Sequence, residues 1–187
     1  MAVRLGLVLV GLTVLVAGCS SEQAPATLPP LPSAPASPSS ATLPSLAVPL
    51  VPEAAKPNTS AAASAFATFF VTNIGRAFQQ AEVKFISSYI APGCGGCEAL
   101  VASVRELAAA KQRRIGGEYL DIQAVSPRVV AADVVVSVSY RRSEAKIVNE
   151  DRTVAMTSPA VPVTQVQVRL IRRGTSWSVQ GYRLAPS

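Results

Sequence analysis

The chain has 187 residues, a formal net charge of +6 and no histidine, a length that holds one domain with extensions. Without histidine there is no Ser-His-Asp or Cys-His nucleophile pair and no His-ligated zinc or haem iron, and three cysteines do not close a Cys-only zinc site. No catalytic residue, cofactor motif or metal site is read from the composition.

The first segment is an address. Arg4 gives a short positive start, Leu5 to Val16 is charge-free, and small residues lead to Cys19, the layout of a secretory signal. Val16-Ala17-Gly18-Cys19 resembles the bacterial lipobox, so residues 1–18 read as a signal peptide and Cys19 as the acylated mature N-terminus. Two acyl chains suffice for stable anchoring, which places the chain on the extracytoplasmic face of the cell membrane. Residues 19–57 follow as a linker, with ten of the fifteen prolines lying between Ser20 and Pro57. Proline at that density withholds helix and sheet donors, so this stretch reads as a disordered, semi-rigid tether.

The domain is expected over 58–187. Asn58-Thr59-Ser60 supplies a helix N-cap, and Phe66, Phe69, Phe70, Ile74 and Phe78 recur at helical spacing behind it. A second helix is predicted over Glu82 to Tyr89. A third is predicted from Cys97 to Arg113, with Leu100, Val101, Val104, Leu107 and Ala108 inward, basic residues in its last turn and Gly116-Gly117 as its stop. The period then changes to two. Strands are predicted over Tyr119 to Val125, ended by Ser126-Pro127, and through Val134, Val136, Val138 and Tyr140. Asn149-Glu150-Asp151 reads as a turn before a strand from Arg152 to Met156, and Pro159 and Pro162 as a loop. Val166, Val168 and Leu170 form a strand that turns through Arg173-Gly174-Thr175 into Trp177 to Tyr182, a hairpin. The fold class is α+β, three helices on a curved antiparallel sheet of four to five strands.

This order, with a closing hairpin and Trp177 after a basic-Gly turn, resembles the cone-shaped fold of the nuclear-transport-factor-like and SnoaL-like superfamily. More narrowly it is similar to an uncharacterised family of actinobacterial lipoproteins. The match runs through Val16 to Cys19, the linker, Ser64 to Phe70, Pro92-Gly93-Cys94-Gly95-Gly96-Cys97 and Trp177. The narrower family implies no activity. Catalytic members of the superfamily commonly use an Asp-His pair in the cone, and the missing histidine removes that base.

Cys94 and Cys97 stand on the oxidising side of the membrane, with Cys19 committed to lipid, and read as a structural disulfide. The alternative is a redox centre at a helix start, although no strand of a βαβ unit precedes the pair. From Asn58 onward 15 Lys/Arg face 9 Asp/Glu, with doublets at Arg113-Arg114, Arg141-Arg142 and Arg172-Arg173. These read as solvated element ends, or as attraction to an anionic wall polymer, lipid or envelope protein. Nucleic acid is not an expected partner, for want of compartment and of stacking aromatics. The leading function is a non-catalytic module that binds a ligand or partner in the cone, with Tyr119, Asp121, Asp133, Tyr140 and Trp177 as pocket candidates. The alternatives are an envelope thiol-disulfide oxidoreductase through Cys94 and Cys97, and a His-free enzyme using carboxylates, Glu118 among them.

Overall fold

The computed structural model describes residues 47–116 and 120–185. The signal, Cys19 and most of the linker lie outside the described residues.

A 21-residue helix, α1 (Ser60–Gln80), organises the fold. Thr59 caps it, its hydroxyl accepting from Ala62 N at 3.1 Å. Its apolar stripe is the predicted one, with Phe66, Phe70 and Ile74 buried and Phe78 partly so. The second helix is shorter than predicted. Only α2 (Lys84–Ser87) is helical, with Phe85 and Ile86 buried.

The third helix, α3 (Gly95–Ala109), starts and stops earlier than predicted. Lys111 takes a left-handed φ of 53°, its N–H donates to Ala108 O and that of Gln112 donates to Leu107 O. That pairing closes the helix before the basic residues, and Arg113 and Arg114 fall in a strand, β1 (Arg113–Ile115). Only Cys97 and Val104 of α3 are buried, and Ala108, predicted inward, is exposed.

Six more strands follow: β2 (Asp121–Val130), β3 (Asp133–Arg142), β4 (Ala145–Val148), β5 (Val154–Ser158), β6 (Val161–Arg173) and β7 (Ser176–Leu184). They form two antiparallel sheets, one ordered β2-β3-β6-β7 and the other β1-β4-β5, rather than one sheet of four to five strands. The period-two pattern predicts the larger sheet well. Val134, Val136, Val138, Val166, Val168, Leu170 and Val179 are buried and share one hydrophobic core with the α1 stripe. The hairpin between β6 and β7 turns at Gly174, φ +62°. Pro127 does not end β2. That strand lies at the sheet edge, where a residue without an N–H is tolerated. Likewise Pro162 sits inside β6, and the β4–β5 turn shifts the strand predicted at Arg152 to Val154. In that turn Asp151 Oδ1 accepts from the hydroxyl and N–H of Thr153, which holds its carboxyl below the usual carboxylate range.

The expected linker also ends early. Ala55, in a 3-10 turn over Glu53–Ala55, is only 1% exposed. Tyr89 Oη donates to Pro49 O at 2.9 Å, Arg172 Nη1 to Lys56 O at 2.9 Å and Trp177 Nε1 to Pro57 O at 3.1 Å. Carbonyls that proline keeps out of regular structure are thus taken up by side-chain donors, and residues 49–57 belong to the domain as a strap.

The outer edge of β7 is covered as well. Val179 N donates to Tyr89 O at 2.8 Å and Ala91 N to Val179 O at 2.9 Å, so the chain entering α3 pairs with an otherwise open strand. Immediately beyond, Gly96 lies so close to β7 that a Cβ there would stand 2.0 Å from Tyr182 O, whereas one at Gly95 would meet nothing within 4 Å. The two glycines of Cys94-Gly95-Gly96-Cys97 therefore differ: space requires the second alone. Gly96→Ala should lower unfolding stability by about 1–3 kcal/mol, the range for forced overpacking. Gly95→Ala should stay within about 0.5 kcal/mol of the parent. Urea melts of the two variants check this, and equal losses would contradict it.

Candidate ligand cavity

The predicted pocket residues do not converge. Tyr119, with Glu118, lies outside the described residues. Asp121 opens β2 and faces Arg141 across the ladder. Asp133 opens β3 and forms an ion pair with Arg169. Tyr140 packs against the core beside β2, opposite Ile122. Trp177 sits at the other end of the sheet, buried, with the Arg172 guanidinium 5.0 Å above its ring and its N–H on the strap. Between α1 and the four-stranded sheet the interior is filled by phenylalanine and valine, so Asp121, Asp133, Tyr140 and Trp177 share no space there; Trp177 instead lines a recess of about 730 Å³ with Lys56, Tyr89 and Arg172.

Cys94 and Cys97 do meet, as a disulfide with Cα atoms 5.2 Å apart. Cys94 precedes the first turn of α3 and Cys97 closes it. Both belong to the core, 1% and 0% exposed. An attacking thiolate needs a line of approach to a sulfur, and burial at this depth denies it.

One space that a ligand can use lies at the end of the fold, beside the small sheet; the larger recess of about 730 Å³ lies between the strap and the β6–β7 hairpin. A cavity of about 450 Å³ opens between the end of α1 (Phe78), the outer half of α3 (Glu106, Leu107), β1 (Arg114), the end of β3 (Arg142) and β4 (Ile147). One face of the small sheet forms its wall: Arg114 stands opposite Ile147, and Ile147 opposite Met156. Met156, 55% exposed, continues that row toward the solvent. Phe78, Leu107, Ala110 and Ile147 thus stand beside two guanidinium groups, with Ser103, Gln112 and Ser158 among them.

The arginines differ in setting. Arg114 is 6% exposed, and its Nη2 donates to Ser143 O at 3.1 Å, fixing the link from β3 to β4. Arg142 is half-buried, and its buried Nε–H has no hydrogen-bond partner among the described residues. Such a donor is costly to leave unmet. The carboxylate facing this space is that of Glu106, on an exposed position of α3. Arg114 and Arg142 were expected as solvated element ends. The sequence did hold a signal for them: within a strand, consecutive residues point to opposite faces. A basic doublet inside a strand must therefore turn one arginine inward, as Arg113-Arg114 and Arg141-Arg142 both do.

By sequence the chain matches no protein-family model and no curated protein. Among solved structures it is similar to the intermembrane-space region of the chloroplast protein ARC6, with a TM-score of 0.45 and 10% identity over 66% of this chain and 97% of that one. It is also similar to an NTF2-like protein from Cytophaga hutchinsonii, at 0.42 and 12% over 65% and 96%. A third likeness is to an NTF2-like protein with a cystatin-like fold from Novosphingobium aromaticivorans, at 0.37 and 12% over 62% and 76%. At such scores and identities these likenesses say nothing of what the chain binds. Among the described residues no group of three or more His, Cys, Asp or Glu is placed to hold a metal ion, and no helix is long and apolar enough to cross a membrane.

The buried disulfide generates a prediction. Replacing Cys94 and Cys97 together by alanine should cost about 2 kcal/mol, the chain-entropy value for so short a loop, and leave the fold intact by circular dichroism. In the native parent, alkylation after mild reduction should label neither cysteine until the domain unfolds. Rapid labelling, with turnover of a disulfide substrate, would restore the oxidoreductase alternative.

Proposed function

We propose that the chain is a lipid-anchored, extracytoplasmic binding module of the nuclear-transport-factor-like kind, without catalytic activity, and that its ligand is a small amphipathic anion held in the cavity between α3 and the small sheet. The observation that carries this reading is the pair of arginines, Arg114 and Arg142, that lines one recess together with Phe78, Leu107 and Ile147, the Arg142 Nε–H having no acceptor among the described residues. A carboxylate, sulfonate or phosphate on a compact apolar body meets both demands. Its oxygen takes a charge-assisted hydrogen bond from the Arg142 guanidinium, and its body covers Leu107, Ile147 and Phe78. A volume of about 450 Å³ is in the range of small-molecule sites. The carboxylate-enzyme alternative has less support, because neither Asp121 nor Asp133 lines this recess, Asp133 is paired with Arg169, and no tyrosine lines the recess.

Membrane attachment rests on the lipobox-like Val16 to Cys19 and on the charge-free stretch before it. The narrower kinship with actinobacterial lipoproteins rests on the same residues, the linker and the cysteine pair. An anchored domain with a ligand cavity and no chemistry of its own fits capture or presentation of a solute at the envelope.

Two measurements test this. Anilinonaphthalene sulfonate, an amphipathic anion of suitable size, should bind the parent with a fluorescence gain. Arg142→Gln should weaken it about tenfold or more, since a hydrogen bond to a charged group is worth about 1.5–3 kcal/mol. Undiminished binding in that variant would sink the cavity assignment. For the anchor, Cys19→Ser should move the protein from the membrane fraction to the soluble fraction and abolish incorporation of labelled palmitate. Continued labelling of the variant would show that the acyl site lies elsewhere.

A further inference from the structure

We infer that the outer face of the four-stranded sheet is a docking surface for a linear polyanion, independent of the ligand cavity. The face away from α1 carries a trough of about 430 Å³ running from β2 to β7, lined by Arg128, Arg169 and Arg183 and by no carboxylate. The register places the cations. Arg128 stands opposite Val135, Val135 opposite Arg169 and Arg169 opposite Gly181, so that one row crosses all four strands. Arg183 lies in the next outward row, opposite Gln167. With strands about 4.8 Å apart and about 6.8 Å for two residues along a strand, the backbones of Arg128 and Arg169 are about 10 Å apart and those of Arg169 and Arg183 about 8 Å.

The trough itself is the room for a guest. Gly181 spares the side chain of Arg169, which lies over it: a Cβ there would stand 3.4 Å from Arg169 Cβ. Between the arginines the trough is lined by Val130, Val135, Gln167, Gln180 and Tyr182, and Ser126 and Ser137 stand opposite each other along the same face. Arg169 is paired with Asp133. Arg183 donates twice to Gln167 Oε1, at 3.1 and 2.8 Å, an arrangement that orients its guanidinium and, among the described residues, leaves its charge uncompensated. Arg128 is exposed and forms no ion pair among the described residues.

Charge complementarity chooses the occupant. A second copy docked on this face would bring the same three cations together. A planar lipid surface would meet the rims of a concave trough rather than its floor. A flexible chain bearing phosphate or carboxylate groups at intervals follows the floor and meets the arginines in turn, with Gln167 and Gln180 on its polar atoms. Attraction of this kind falls steeply with salt as counterions are released.

The test uses the full chain carrying Cys19→Ser and fluorescently tagged linear polyphosphate as probe, with fluorescence anisotropy at low ionic strength. The parent should bind, and Arg128→Gln combined with Arg183→Gln should weaken binding about tenfold or more and flatten its salt dependence. Arg105→Gln combined with Arg152→Gln, an equal loss of charge on α3 and on the β4–β5 turn, should change affinity less than about twofold. Equal losses in the two double variants would reduce the effect to net charge and overturn the proposal. So would tighter binding to phosphatidylglycerol vesicles than to the polymer through Arg128 and Arg183, which would assign the face to lipid. A dimer in sedimentation that Arg128→Gln dissociates would likewise overturn it in favour of a second copy.

Discussion

The contact between the α1 stripe and the valine face of the sheet is the constraint on which the rest depends. Phe66, Phe70 and Ile74 meet Val136, Val138, Val166, Val168 and Leu170 in one continuous core, each such side chain contributing about 1.5–3 kcal/mol when fully buried. Because these side chains fill the space between helix and sheet, no ligand enters there. Usable space is displaced to the end of the fold beside the small sheet, to the outer face and to the recess under the strap. Arginine lines all three. The same packing thus leaves the cavities of the described residues at the periphery.

The junction of α3 with β7 is the second fixed point. Tyr89 and Ala91 pair with Val179, the disulfide closes the first turn of α3, and Gly96 lets that turn rest on the Tyr182 carbonyl. These features hold one end of a helix that is otherwise mostly exposed. Its far end, bearing Glu106 and Leu107, forms one wall of the cavity, so the geometry of the recess is set from the opposite end of the helix. The cysteine pair stands in the fold as a strut at the start of α3.

Element types were legible in the sequence wherever one face of an element is buried. The α1 stripe, the alternation in β3 and β6 and the β6–β7 hairpin all followed from periodicity, because burial on one side imposes a period of 3.6 or 2. Boundaries set by non-local contacts were not legible. Lys111 ends α3 in a left-handed conformation that glycine usually takes. Pro127 stays in a strand because that strand is an edge. The strap over residues 49–57 looks like more linker by composition, and only Tyr89, Arg172 and Trp177, up to 120 residues away in the chain, show that it is part of the domain.

By itself, the sequence determined the fold class, the absence of histidine-dependent chemistry, the pairing of Cys94 with Cys97 and the excess of positive charge. Those are properties of residue type and local spacing, and they need no partner elsewhere in the chain. Tertiary structure alone decided where the charge goes. Arg114 and Arg142 became cavity residues because a second sheet formed beside the first, and Arg128, Arg169 and Arg183 became neighbours because strand register aligned three distant segments. Asp133, Tyr140 and Trp177 were separated for the same reason. Register and sheet order are set by the burial of whole faces at once, a condition that no stretch of residues carries alone.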